Sequence, residues 1–356
     1  MSMRKGGPFA ASVGRALPAH HADQETLIAA LRGLWATRHY NLERLEELHR
    51  AVRVEGRYLA LPIDEYASLD TLQKRNDAWI RVAQEIGGEA VTRALVRAGL
   101  GPRDVDHLFF VTVTGIATPS IDARLVNRLG LRPDVKRTPI FGLGCVAGVA
   151  GTARAADYLR AFPDQTAVLL AVELCSLTHQ RDDLSIANII ASGLFGDGAA
   201  AVVLRGAECP AAGPRVVAST SVFYPGTERV MGWDVTSGGF KVILSAGVPA
   251  LVRQRIRGDV DAFLATRGLA RKDIRHFVAH TGGPRVLDAF EEALELPDDA
   301  LARSRRSLAQ TGNLSSASVL FVLAELLASG EARPGDLGLM IAMGPGFCAE
   351  LVLLAW

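Results

Sequence analysis

The feature that most constrains this chain is that it repeats itself. Gly99-Leu100-Gly101-Pro102-Arg103-Asp104-Val105-Asp106-His107 returns 169 positions later as Gly268-Leu269-Ala270-Arg271-Lys272-Asp273-Ile274-Arg275-His276, with the helix-ending glycine, the Asp, the aliphatic residue and the His all kept. A shift shorter by one superposes Gly144-Cys145 on Gly312-Asn313, each expected to follow an extended segment and open a helix. The chain therefore reads as two homologous α/β halves, residues 25–210 and 211–356, meeting where Gly206, Pro210, Gly213 and Pro214 interrupt regular structure. A ligand site between them would take one polar group from the first half and others from the second.

Hydrophobic patterning supplies the elements. Leucines at 27, 31, 34, 42, 45 and 48 recur at helical intervals, and a helix over Glu89–Ala98 should stop at Gly99, with Pro102 beyond it. His107–Val113 is almost wholly apolar and β-branched or aromatic, the pattern of a strand covered on both faces. Similar runs occupy Thr138–Phe141, Ala167–Val172, Ala199–Leu204, His276–Ala279 and Leu337–Ala342. Residues 1–24 carry Arg4 and Lys5 but no continuous apolar stretch, so they read as a flexible extension rather than a signal peptide.

Composition narrows the function. The 356 residues carry 39 Lys and Arg against 38 Asp and Glu, with no uniformly basic segment, so broad nucleic-acid binding has no electrostatic support. Apolar runs fall well short of the ~20 residues needed to span a bilayer. Cys145, Cys175, Cys209 and Cys348 are far apart and form no C-x-x-C pair, which argues against a zinc site or disulfide framework and suits a reducing cytoplasm.

Three residues invite chemistry. Cys145 closes Phe141-Gly142-Leu143-Gly144 and precedes Val146-Ala147-Gly148, which puts a thiol at a helix N-terminus, where dipole and free amides favour the thiolate. Cys145 is accordingly expected to alkylate ahead of the other cysteines, well below the usual thiol pKa of ~8.5. The bland alternative is a small buried hydrophobe. The glycine spacing, G-x-G-x-x-x-G, misses the dinucleotide fingerprint by one residue, and there is no P-loop or G-x-S-x-G elbow. His280 stands where the run Phe277-Val278-Ala279 opens into Thr281-Gly282-Gly283-Pro284. On a strand His276 and His280 lie about 13 Å apart, too far to share a metal. Asn313 is the repeat-mate of Cys145 and would equally serve as a helix cap. Together the three can act as nucleophile, base and hydrogen-bond donor to an oxyanion; papain-like proteases use the same types, but their C-G-S-C-W context is absent.

These residues, with Leu194-Phe-Gly-Asp-Gly-Ala199, His280-Thr-Gly-Gly-Pro284, Gly312-Asn-Leu-Ser-Ser316 and Gly344-Pro-Gly-Phe347, resemble the thiolase superfamily and, more closely, the type III polyketide synthases related to chalcone synthase. The resemblance runs from about Arg50 to the C-terminus. It implies a thiolase-like α/β fold, five layers in the order αβαβα, and a homodimer in which Thr118 or Pro119 reaches the partner's cavity. It also implies that Cys145 carries the growing acyl chain while His280 and Asn313 hold the thioester carbonyl during malonyl decarboxylation and condensation. Phe195 matches the gatekeeping phenylalanine, Val242 replaces its usual partner, and Cys175, Thr178 and Trp233 fall at cavity positions, with core packing as the alternative for each. Arg50, Arg53 and Arg57, spaced by three and four, would share a helix face able to meet CoA phosphates, or would be a solvated basic face. The stretch Val172–Asp183 is similar to bacterial members that start from fatty acyl-CoA and make alkylpyrones or alkylresorcinols. The expected reaction is iterative decarboxylative condensation of a fatty acyl-CoA with malonyl-CoA, without metal or prosthetic group. The alternatives are a single-round ketoacyl synthase served by acyl carrier protein and a catalytically silent acyl-binding protein.

Overall fold

The computed structural model describes residues 6–36, 41–210 and 213–356; residues 1–5 of the expected extension and 211–212 at the expected boundary lie outside them. The first half contains β1 (Phe9–Ala16), β2 (His20–Asp23), α1 (Gln24–Trp35), α2 (Leu42–Ala51), β3 (Gly56–Leu59), α3 (Leu72–Arg97) and β4 (His107–Thr112). It continues through α4 (Ile121–Leu129), β5 (Lys136–Phe141), α5 (Ala147–Ala161), β6 (Thr166–Leu174), α6 (Ile186–Leu194) and β7 (Asp197–Arg205). The second half runs β8 (Arg215–Phe223), β9 (Met231–Thr236), β10 (Gly239–Leu244), α7 (Val248–Ala265), β11 (His276–Ala279), α8 (Pro284–Leu294), α9 (Ala302–Thr311), α10 (Ser318–Ser329), β12 (Leu337–Gly344) and β13 (Cys348–Ala355).

Nine strands join in the order β11-β12-β13-β8-β1-β7-β6-β4-β5. The first half contributes β5-β4-β6-β7-β1, with β4 parallel to both β5 and β6, and β7 antiparallel to β6 and β1. The second half repeats the plan in β11-β12-β13-β8, and the two sets join where Phe9 pairs with Arg215, flanked by the bonds Ala10 N–H to Pro214 O and Val216 N–H to Pro8 O. Because strand side chains alternate, each strand serves two cores. Val168, Leu170 and Val172 face α3 on the outside, while Leu169 and Ala171 face α5 and α10. On the other side Met340 and Ala342 meet those same two helices, and Leu339, Ile341 and Met343 meet α7 and α8. The layers are therefore α3, sheet, α5 with α10, sheet, α7 with α8, which is the five-layer order. Coverage on both faces is why the strands read as unbroken apolar runs.

The repeat holds at atomic detail. Gly99 and Gly268 end their helices with φ of +68° and +69°. Asp104 Oδ2 accepts from Gly101 N at 2.7 Å and Asp273 Oδ2 from Ala270 N at 2.8 Å, so the same turn delivers His107 and His276 to the first position of a strand.

Two expectations need correction. Residues 9–16 are no flexible extension: β1 sits inside the large sheet, bonded along its length to β7, and β2 pairs with β3. Its residues are small because α3 crosses it closely; a Cβ on Gly14 would lie 2.2 Å from Ala90 O and 2.4 Å from Ala94 N. The segment before Gly312 is helix α9, not a strand, since Ser304, Ser307, Leu308 and Thr311 bury one helical face. The leucine-rich N-terminal stretch is two helices, α1 and α2.

Gly14→Val is expected to destabilise the fold by ~1–3 kcal/mol or more through overpacking. Gly258→Ala, inside α7 with open space around it, should instead stabilise by about 0.5–1 kcal/mol. Thermal denaturation of the two variants against the parent chain measures both.

Candidate active site

Cys145, His280 and Asn313 line one small cavity together with Phe195, although each comes from a different element. Cys145 lies in the short 3₁₀ turn Gly144–Val146 that feeds α5, so its position at a helix start is as expected. His280 follows the last residue of β11 and is fixed by its own N–H, which donates to Ile341 O at 2.9 Å. Asn313 is not a helix cap, a position that Leu314 holds before the 3₁₀ turn Ser315–Ala317, but makes an Asx turn and remains an available donor. Its Oδ1 accepts from Ser315 N at 2.8 Å, which orients the amide and leaves Nδ2 for a ligand.

Asn313 is also tied to Phe195. Its N–H donates to Leu194 O at 2.8 Å and its carbonyl accepts from Gly196 N at 3.0 Å, making a parallel bridge on either side of Phe195. The two backbones meet so closely that only glycine fits: a Cβ on Gly196 would lie 2.2 Å from Thr311 O, and one on Gly312 2.7 Å from Leu194 O.

Phe195 lines a second cavity as well, of about 380 Å³, and shares no other residue between the two. That volume falls in the range of ~300–1,000 Å³ usual for small-molecule pockets. Cys175, Thr178, Trp233 and Val242 all line it. Trp233 and Val242 are direct cross-strand partners in the β9–β10 hairpin, and Thr178 Oγ1 donates to Cys175 O at 2.7 Å. Leu27, Leu31 and Leu34 of α1 build its apolar wall. Thr118 lies on an exposed loop and lines neither of these two cavities.

The arginine expectation fails as a set. α2 ends at Ala51, Arg53 has φ +54°, and Arg57 belongs to β3, so the three share no helix face. Arg50 is engaged by Glu25 at 2.9 Å and Glu46 at 3.3 Å. Arg57 is 3% exposed, donates to Ser192 O, faces Asp197 and lines the larger cavity. The chain reverses just after α2, which spacing alone does not reveal.

Electrostatics corrects the thiolate expectation. Burial pushes the Cys145 thiol up to about 12, outweighing its contact with Ser315 Oγ at 3.7 Å, and burial holds His280 down to about 4. Both groups are therefore neutral near pH 7. His280 Nδ1 is buried without a partner.

Sequence reasoning missed Glu173. Its carboxylate accepts from Ser316 Oγ at 2.5 Å, Thr114 Oγ1 at 2.9 Å and Val113 N at 3.1 Å, joining β6 and the end of β4 to the turn beyond Asn313. Burial raises it to about 7. The available signal was a single acid in an otherwise apolar buried strand.

Residues 2–209 match the family described as "Chalcone and stilbene synthases, N-terminal domain", and residues 215–355 match the corresponding C-terminal domain. The chain is 50% identical over 353 residues to a 1,3,6,8-tetrahydroxynaphthalene synthase of Streptomyces peucetius subsp. caesius, covering 98% of this chain and 93% of that one. It is 36% identical over 359 residues to a putative chalcone synthase of Bacillus subtilis strain 168, covering 98% of each. Among solved structures, 1,3,6,8-tetrahydroxynaphthalene synthase from Streptomyces coelicolor A3(2), a bacterial type III polyketide synthase, superposes with a TM-score of 0.93 at 32% identity, covering 98% of this chain and 99% of that one. A buried thiol, a neutral imidazole and an amide donor gathered from two repeated halves thus coincide with matches over nearly the whole sequence, and the chain belongs to the chalcone and stilbene synthase family as a type III polyketide synthase.

Proposed function

We propose that this enzyme assembles malonyl-derived two-carbon units on Cys145, passes the chain beyond Phe195, and closes it in the larger cavity to a polyhydroxylated aromatic ring of the tetrahydroxynaphthalene kind. The observation that carries the reading is Phe195, which stands between a thiol cavity too small for a grown chain and a larger one beyond it. The 50% identical relative supplies the product class: a naphthalene skeleton divides into five two-carbon units, and alternate oxygens are what polyketide carbonyls leave.

In this reading Cys145 gives its proton to His280 as the incoming thioester carbonyl is attacked, so Cys145 becomes acylated and CoA takes that proton from His280 and leaves as the free thiol. Neutral His280 and the free Asn313 amide then donate to the malonyl thioester carbonyl and stabilise the enolate formed as CO₂ departs. The enolate carbon attacks the Cys145 thioester, extending the chain by two carbons and releasing the thiolate. CoA thioesters carry both partners, so no further cofactor enters the scheme. A homodimer would form at edge strand β5, beside which Ile116 and Phe141 are 50% and 52% exposed and the Thr118–Pro119 loop projects. No described helix is long and apolar enough to cross a membrane.

A second reading, a fatty acyl-CoA starter closing to an alkylpyrone or alkylresorcinol, is favoured by the wall of Leu27, Leu31 and Leu34. The test is product mass spectrometry with malonyl-CoA alone and with added acyl-CoAs of increasing length. A hydroxylated naphthalene from malonyl-CoA alone is expected; an absolute requirement for fatty acyl-CoA would replace the first reading with the second, and a single extension would return the carrier-protein alternative.

Cys145→Ala should lower polyketide formation on the order of a thousandfold or more while malonyl-CoA decarboxylation persists, because His280 and Asn313 are untouched. Carbon dioxide release and product yield, measured together, check this. The raised thiol makes the sign of its pH response definite: the anion is scarce at neutral pH and grows as pH rises toward about 12. In ligand-free enzyme, iodoacetamide should therefore label Cys145 faster with every step into the alkaline range and more slowly near pH 7 than half-exposed Cys209, as read by peptide mass spectrometry. Trp233→Gly should alter the ratio of products more than total malonyl consumption, since a difference of ~1.4 kcal/mol between competing closure barriers changes a ratio about tenfold. Chromatography with mass detection of the soluble variant's products decides it.

A further inference from the structure

A third cavity, about 700 Å³, shares no residue with the two already described. Its walls are the end of β1, the last turns of α3, the β2–β3 region, and the facing sides of α9 and α10. Its chemistry differs from that of the apolar cavity beyond Phe195. Arg15, Arg93 and Arg97 converge on it. Arg15 stacks over the Phe321 ring at 5.4 Å, and Arg97 Nη1 donates to Val13 O at 2.5 Å, so both guanidinium groups are held in place.

Neither Arg15 nor Arg97 forms an ion pair with a described carboxylate, whereas Arg93 pairs with Glu89 at 2.5 Å. Glu325, the acid whose charge acts on Arg15, is already engaged by Arg306 at 2.5 Å. Burial and the neighbouring Arg97 charge both depress the Arg15 guanidinium from its ordinary value. Two like charges fixed side by side, with most of their five donors unused, are complementary to an anion. An independent sign comes from α9: Ser307 is only 6% exposed, lines the same cavity, and its hydroxyl has no hydrogen-bond partner.

We infer that this cavity binds a small organic polyanion, its phosphate or paired carboxylate oxygens held between Arg15 and Arg97 and its body extending toward Ser307 and Gln310. Forked guanidinium groups match both kinds of acid, and charge-assisted bonds from a partly buried arginine are the strong ones. Glu55 and Glu325 on the wall suit hydroxyl or amino groups on the rest of the ligand. The occupant would lie against α9, the helix that ends at Thr311, two residues before Asn313.

Isothermal titration calorimetry of the full chain with inorganic pyrophosphate and, separately, with citrate tests the site and distinguishes the two acids. Wild-type enzyme should bind at least one. Arg15→Gln should weaken that binding about tenfold or more. Gln310→Glu, at an exposed position, should weaken it through like charge without disturbing the Arg15–Phe321 contact, and it decides the matter alone if Arg15→Gln fails to fold. Malonyl-CoA turnover should be unchanged in both. Failure of wild type to bind either anion overturns the proposal, as does equally tight binding in the variants, which would put the anion in the CoA-phosphate region instead.

Discussion

Two backbone hydrogen bonds, Asn313 N–H to Leu194 O and Gly196 N–H to Asn313 O, hold the catalytic arrangement together. They fasten the strand entry of the first half to the turn after α9 in the second, with Phe195 and Asn313 at the crossing. The amide proposed to meet a thioester carbonyl and the ring that lines both cavities are thereby held together. His280 is placed in the same manner, by a main-chain bond to Ile341 on β12. Side-chain bonds add the remaining tie, since Glu173 links the turn beyond Asn313 to β4 and β6. Backbone ladders are stiffer supports than paired side chains, which suits a site whose groups must keep their geometry through repeated condensations.

The same burial that fixes these groups sets their resting charge. Desolvation acts on Cys145 and His280 in opposite directions and leaves both neutral. In the proposed mechanism the reactive anion arises only with proton transfer to His280, so a resting thiol of this kind would resist oxidants and stray electrophiles. A neutral imidazole is also the form that can first accept that proton and later donate its N–H to an enolate.

How far the sequence could be read depended on whether a residue's role left a local mark. Strands covered on both faces announce themselves as apolar runs, and His107–Thr112 and Thr166–Leu174 were legible for that reason. Cys145, His280, Asn313 and Phe195 stood in short motifs, and the repeat predicted that thiol and amide would occupy equivalent turns. β1 was hidden because close approach of α3 demands Ala, Ser and Gly, which carry little strand signal. α9 was hidden because its buried face includes serines and a threonine. The arginines misled because regular spacing implies a shared face only while the helix lasts, and this one ends at Ala51.

The place of β1 also has a consequence for how the molecule is made. It leaves the ribosome before either strand it pairs with, β7, as in Val13↔Val202, and the edge of β8. Until Arg205 has been synthesised, β1 has no sheet to join, and α3, which packs over it, has only part of its floor. The first half must wait for a contact nearly two hundred residues away before its sheet closes, a long-range pairing of the kind that slows folding. Once closed, it presents β1 as an open edge until β8 arrives, so the interval between the two halves is when this chain has most to gain from a chaperone.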